Sequence, residues 1–355
     1  MGLLSWLKGK KPEEADAPPP PEEDVAAPEI PLEELAAGLE SSEGAVRIDA
    51  ARALLERWRR GDGLAAEILA PRLHELLEDS EPLLRQTALA GTRLLRKPEN
   101  VERCAGGILA LLADPVGQVR AAAVWSAVRL PGDTARIQVR ALLTSPEESM
   151  RFAAACALSD VRDGAALPEL LAAVRDEHRR QEAVSALMTL GDAACVPALA
   201  KLFEAEEEAA LEPFDKTLVG AALARFGDPR GGAHLVERIE AAGDDGPIAA
   251  EWAGRLGVQD AVPALTALAE EEGDAGRGAA IRALGRLRAP GAEERLLVLA
   301  AEGEDDLRMD AAEGLAELAS PAALELLRKL AAEPSELGQL CRELLVEVAA
   351  NEASA

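Results

Sequence analysis

One segment recurs ten times along this chain, and no other feature limits its fold as much. Each copy opens on an anchor position, usually basic. The anchors are Arg47 (VRIDAARALL), Arg85 (LRQTALAGTRLL), Arg120 (VRAAAVWSAVRL), Arg151 (MRFAAACALSD) and Arg180 (RQEAVSALMTLG), then Lys216, Gly246, Arg277, Arg308 and Gly338. Neighbouring anchors are 29 to 38 residues apart, with most spacings near 31. A helical repeat of that period cannot bury its own apolar face, so it must stack on its neighbours as one layer of a solenoid.

Columns taken across the repeats show which face is buried. Three residues after the anchor stand Ala50, Ala88, Ala123, Ala154, Ala183, Val219, Ala249, Ala280, Ala311 and Cys341. Seven residues after it stand Leu54, Thr92, Ala127, Leu158, Leu187, Leu223, Ala253, Leu284, Leu315 and Leu345. A third column, ten residues after, is again mostly Leu, as at Leu190, Leu256, Leu287 and Leu318. Offsets of three, seven and ten form one stripe on a helix of 3.6 residues per turn. The Ala column lets helices approach closely while the Leu columns fill the space between layers. Thin layers leave little room for large rings, which fits a composition that is 48% hydrophobic yet only 2% aromatic.

The first helix of each repeat is marked by Pro in its opening turn, as in Leu167-Pro168, Val196-Pro197 and Val262-Pro263, where a missing N–H costs nothing. Breakers such as Glu81-Pro82, Asp114-Pro115 and Ser145-Pro146 separate the two helices. Gly191, Gly227 and Gly257 stand where a left-handed helix cap is expected. The pattern VR-x-x-AA-x-AL-x-x-LGD-x-x-AVPAL resembles the HEAT repeat, and its short period is similar to the phycobilin-lyase type of HEAT-like repeat. The resemblance implies an all-α fold, an alpha-alpha superhelix of about ten helix pairs, over residues 31–350. It also implies a ladder between repeats, built from the Asp before each second helix and the Arg that opens it, matched here by Asp79 with Arg85 and Asp114 with Arg120. The basic anchors are therefore read as structural and not as a phosphate-binding row.

Charge and chemistry narrow the function. With 64 acidic against 38 basic residues the formal charge is −26, which excludes a nucleic-acid surface that needs clustered Lys and Arg. Cys104, Cys156, Cys195 and Cys341 are far apart within helical patterns and read as small buried thiols. Deoxyhypusine hydroxylase, a HEAT-type relative, holds iron with repeated His-Glu pairs. This chain has one such dipeptide, His74-Glu75, and its remaining histidines, His178 and His234, are expected on the surface. No metal site and no cofactor are expected. A bilin lyase-like activity is the alternative that the resemblance implies, although no Cys has the basic neighbours that would lower a thiol pKa.

HEAT solenoids bind partners along the inner face lined by second helices. Here that face is expected two, five and nine residues after each anchor. It carries Leu94, Trp125 and Arg129, with Phe152 beside them, and farther on a column of Arg225, Arg255 and Arg286. Trp125 among small residues fits a protein-binding hot spot, the alternative being that it folds back into the core. The Arg column suits an acidic peptide with Glu251 as a local counter-charge, the alternative being ordinary solvated charge. The repeat spacing lengthens at Trp58–Gly63 and again between the fifth and sixth repeats, where Glu204, Glu206, Glu207, Glu208 and Glu212 gather.

Residues 1–11, MGLLSWLKGKK, form a short amphipathic segment in which Leu3, Leu4, Trp6 and Leu7 precede Lys8, Lys10 and Lys11. Such a segment suits weak contact with an anionic membrane surface, docking in a protein groove, or no contact at all. Residues 12–30 read as a disordered Pro/Glu-rich linker and 351–355 as a disordered tail. The expected protein is a cytoplasmic, non-enzymatic scaffold that binds one or more proteins, peripheral at the inner membrane surface if the first segment engages lipid.

Overall fold

The computed structural model describes residues 30–205, 211–241, 243–271 and 276–352. It is an all-α solenoid, and no strand occurs among the described residues. The expectations for residues 1–11, for most of 12–30, for Glu206–Glu208 and for the last three residues lie outside them. The chain divides after Asp192 into two compact units.

In the first unit the second helices of the repeats are Gly44–Arg59, Pro82–Thr92, Gly117–Ala127, Glu148–Asp160 and Arg180–Leu190, each packed on the next. In the second unit they are Pro213–Arg225, Gly246–Leu256, Arg277–Arg286, Asp305–Leu318 and Glu336–Glu352, packed in the same way. First helices such as Pro98–Ala110 and Val262–Glu270 lie between them in sequence and cover one side. The predicted Ala column is buried in all ten repeats, and the Leu column is buried except at Thr92 and Leu345, which are half-buried. Thr92 is tolerated because its hydroxyl donates to the Leu89 carbonyl at 2.7 Å. Small residues also set the spacing of the layers. A Cβ on Gly285 would lie 2.8 Å from the Gly314 carbonyl oxygen, so these two helices touch backbone to backbone.

Helix ends follow local chemistry. The Asp62 carboxylate accepts from the Leu64 and Ala65 amides and the Ser320 hydroxyl from Ala323, which caps two first helices. Gly191, Gly227 and Gly257, eleven residues after their anchors, have φ of 73°, 78° and 73°. The same position in other repeats holds Arg162, Arg288 and Ala319, at φ of 54°, 50° and 47°, a conformation that disfavours any residue with a Cβ.

The anchors are structural, and the ladder runs one step further than simple matching suggests. Arg85 Nη1 donates to the carbonyls of Asp79 and Ser80 at 2.8 and 3.0 Å, closing the end of its own repeat's turn. Its Nε and Nη2 reach across to Asp114 of the next repeat. Arg47 does the same with Ser41, Ser42 and Asp79. Asp79 and Asp114 in turn accept from the amides of Glu81 and Val116 at the start of the next helix. Burial by itself would raise both carboxyls, but the guanidinium and amide donors outweigh it and hold them below the ordinary carboxylate range. Ser145 replaces the Asp in the following repeat. Its hydroxyl still accepts the Glu147 amide, and Arg120 turns to the Glu147 carboxylate at 2.6 Å.

Candidate functional site

The ridge of second helices exposes less than its sequence pattern predicts. Five residues after the anchor, Cys156, Ser185, Ala221 and Glu251 are all buried. Within each unit a neighbouring second helix packs against each of these helices, which closes part of the face opposite the first helices. Phe152 is likewise buried, at 8% exposure, with the Arg179 guanidinium carbon 5.5 Å from its ring centroid.

In the first unit the ends of the Pro82–Thr92 and Gly117–Ala127 helices form a distinct surface. Leu94 and Trp125 are half-buried and Arg129 is exposed. The Arg93 guanidinium carbon lies 6.0 Å from the Trp125 ring centroid, at the outer range of a cation–π contact. Beside it opens a cleft of about 200 Å³. Leu95, Val101, Ile108 and Leu130 give it an apolar lining, and Arg93, Arg96 and Arg129 also line it. The hydroxyls of Thr92 and Ser126 also line the cleft, but both donate to Leu89. No lining residue is acidic. Arg129 pairs with Asp160 at 3.3 Å across the surface, whereas Arg93 and Arg96 have no ion pair among the described residues. Burial, and after it the like charges of Arg129 and Arg59, pull the Arg93 guanidinium below its usual value, against the opposing pull of Asp160. Sequence reasoning missed Arg93 and Arg96 because they follow the helix, at offsets eight and eleven. A signal was present in three bases close together, Arg93, Arg96 and Lys97 in TRLLRK, with no acid in that stretch.

In the second unit the Arg column is bound up with carboxylates. Glu251, only 3% exposed, accepts from Arg255 at 2.9 Å and from Arg286, and lies 3.7 Å from Arg282. Arg282 also pairs with Asp310 and Glu313, and Arg286 with Glu317 at 3.1 Å. Three successive helices thus present acid, base and acid side by side. Burial would raise the Glu251 carboxyl, but Arg286, Arg282 and Arg255 leave it below its ordinary value. Arg225 stands apart, exposed and with no ion pair among the described residues.

Among the described residues no group of three or more His, Cys, Asp and Glu side chains could hold a metal ion. The four cysteines are free and buried, and burial raises the thiols of Cys104, Cys156 and Cys341 above their ordinary value. His178 is exposed as expected, but His234 is not a surface residue. It packs edge-on against Phe203 with ring centroids 5.1 Å apart, and its Nε2 lies 3.4 Å from the Thr217 hydroxyl, which donates to Asp245 at 2.8 Å.

No curated protein matches the sequence. Among solved structures the chain is similar to YibA of Escherichia coli, with 20% identity over 72% of this chain and 92% of that one and a TM-score of 0.44. It is also similar to human deoxyhypusine hydroxylase in complex with glycerol (20% identity, 69% and 96% covered, TM-score 0.29). A third is the complex of CpcE and CpcF of phycocyanin lyase from Nostoc sp. PCC7120 (20% identity, 87% and 98% covered, TM-score 0.35). The family model for HEAT repeats matches residues 107–188 and 262–348, and that for the PBS lyase HEAT-like repeat matches 179–205. Together they span just over half of a chain whose buried Ala and Leu columns repeat throughout, and the protein belongs to the HEAT-repeat family.

Proposed function

We propose that this protein is a non-enzymatic scaffold that binds other proteins through the ridge of second helices in its first unit. The observation that carries this reading is the half-buried Trp125, beneath Arg93. Trp and Arg are both among the residues enriched at interface hot spots. The second unit supports the same reading by contrast, since its Arg255 and Arg286 are committed to Glu251 and leave little charge free for a ligand. No described helix is long and apolar enough to cross a membrane. Location at a membrane would therefore rest on residues 1–11, for which we propose weak, reversible contact with an anionic surface.

The test is affinity capture from extracts of the source cells, quantified against the Trp125→Ala variant. Loss of specific partners from the variant is expected, and identical recovery from both would remove the reading. Flotation with anionic vesicles, compared with a Leu3→Glu/Leu7→Glu variant, tests the membrane contact. The competing reading, a lyase subunit, draws on the PBS lyase HEAT-like repeat at 179–205. Bilin absorbance in the purified protein would favour it, while the buried, raised thiols weigh against a cysteine nucleophile.

A further inference from the structure

In a chain of net charge −26, guanidinium groups are expected to find carboxylates, and Arg85, Arg282 and Arg286 each find at least one. Arg93 and Arg96 instead line, with no ion pair among the described residues, a cleft that has no acidic lining residue. The cleft is smaller than the roughly 300–1,000 Å³ of a small-molecule site, so it has room for one aliphatic side chain above Leu95, Ile108 and Leu130 and for one anionic group at the rim. Guanidinium forks match carboxylates in geometry and charge. We propose that the cleft binds a segment of a partner protein in which an Asp or Glu stands next to an aliphatic residue. The carboxylate is held by Arg93 and Arg96, and the aliphatic side chain occupies the apolar floor. Arg129, already engaged by the exposed Asp160, is the third donor, available once that surface pair opens. This inference deepens the scaffold reading and rests on it only for the occupant being another protein.

The test is selection of a random dodecapeptide display library on the full chain. Selected peptides are expected to be enriched in Asp or Glu beside Leu, Ile or Val. They should bind at least tenfold more weakly to an Arg93→Gln/Arg96→Gln variant, and synthetic versions with Gln or Asn for the acid should weaken alike. Neither arginine makes a hydrogen bond that the fold needs, and an unchanged thermal melt checks this. Arg225→Gln, in the other unit, should leave binding unchanged. Selection without acidic enrichment, or binding indifferent to the double variant, would overturn the proposal. A full chain carrying amides at Glu13, Glu14, Asp16, Glu22, Glu23 and Asp24 should bind the peptides as the parent does. A tenfold gain would make the chain's own acidic segment the occupant and overturn the assignment to a partner. If Trp125→Ala abolishes partner capture while Arg93→Gln/Arg96→Gln does not, the scaffold reading stands and the cleft proposal falls.

Discussion

Arg85 grips Asp114 with two parallel bonds, Nε to Oδ2 at 2.8 Å and Nη2 to Oδ1 at 3.1 Å, joining one repeat to the next. The two side chains are only 11% and 4% exposed. The same guanidinium caps the carbonyls of Asp79 and Ser80, so a single side chain closes its own turn and docks the following one. Arg85→Ala would strand a buried carboxylate, and removing one partner of such a pair costs about 3–5 kcal/mol. Urea unfolding should show a loss of that order, whereas Arg129→Ala, which breaks the exposed pair with Asp160, should cost less than about 1 kcal/mol. Equal effects of the two changes would mean that the ladder adds nothing beyond surface charge.

Glu251 is the centre of the charge lattice in the second unit. Glu251→Ala would remove the buried carboxylate that Arg255, Arg282 and Arg286 share, a loss expected at about 3–5 kcal/mol. Adding Arg286→Ala should cost less than the sum of the single changes, because it removes one of the charges that Glu251 had balanced. Strict additivity in a double-mutant cycle would show that the lattice is not coupled.

Acid should weaken the protein in two stages. Burial, opposed weakly by Glu237, holds the His234 imidazole below its ordinary value, so the unfolded chain takes up a proton more readily. The stability that neutral His234 contributes is therefore complete above about pH 6.5 and is lost as the pH falls below it. Asp310 and Glu313, raised by burial against the pull of Arg282, act with the opposite sign. The His234 share is thus read as the difference between the parent and His234→Gln from pH 7 to 5, and it should shrink stability only in the parent. Asp79, Asp114, Asp245 and Glu251 lie below their ordinary range. Their contribution persists above about pH 4 and is lost below it. Arg85→Ala should blunt that lower transition.

Ala319 occupies a left-handed cap at φ 47° where other repeats use glycine. Ala319→Gly should stabilise by about 1 kcal/mol by releasing Cβ strain. Scanning calorimetry should then show a melting temperature higher by about 2–4 °C. Arg162→Gly and Arg288→Gly, at φ 54° and 50°, should act in the same direction. A lower melting temperature in all three would contradict the strain.

Positions whose surroundings recur could be read from one repeat to the next. The Ala and Leu columns, the opening prolines and the glycine caps reflect local periodicity and backbone sterics, and the packed chain keeps them. The ladder was legible in part: Arg85 and Arg120 donate to the carbonyls of Asp79 and Asp114, the pairs that matching suggested, but the Asp114 carboxylate goes to Arg85 of the preceding repeat, which the neighbouring helix brings within reach. His234 looked like any polar residue of a first helix until Phe203, Gly220 and Thr217 closed around it.

The candidate site divides along the same line. The amino-acid order alone determined a stack of helix pairs, a ridge carrying Trp125, and a composition with no surplus of base. Tertiary packing decided which of those side chains stay open. It buried Phe152, tied Arg255 and Arg286 to Glu251, and left Arg93 and Arg96 unpaired around a cleft. The physical reason is that helical periodicity fixes the direction of a side chain from its own helix axis, while exposure and charge pairing depend on the neighbouring layer, whose residues lie some thirty positions away in the chain.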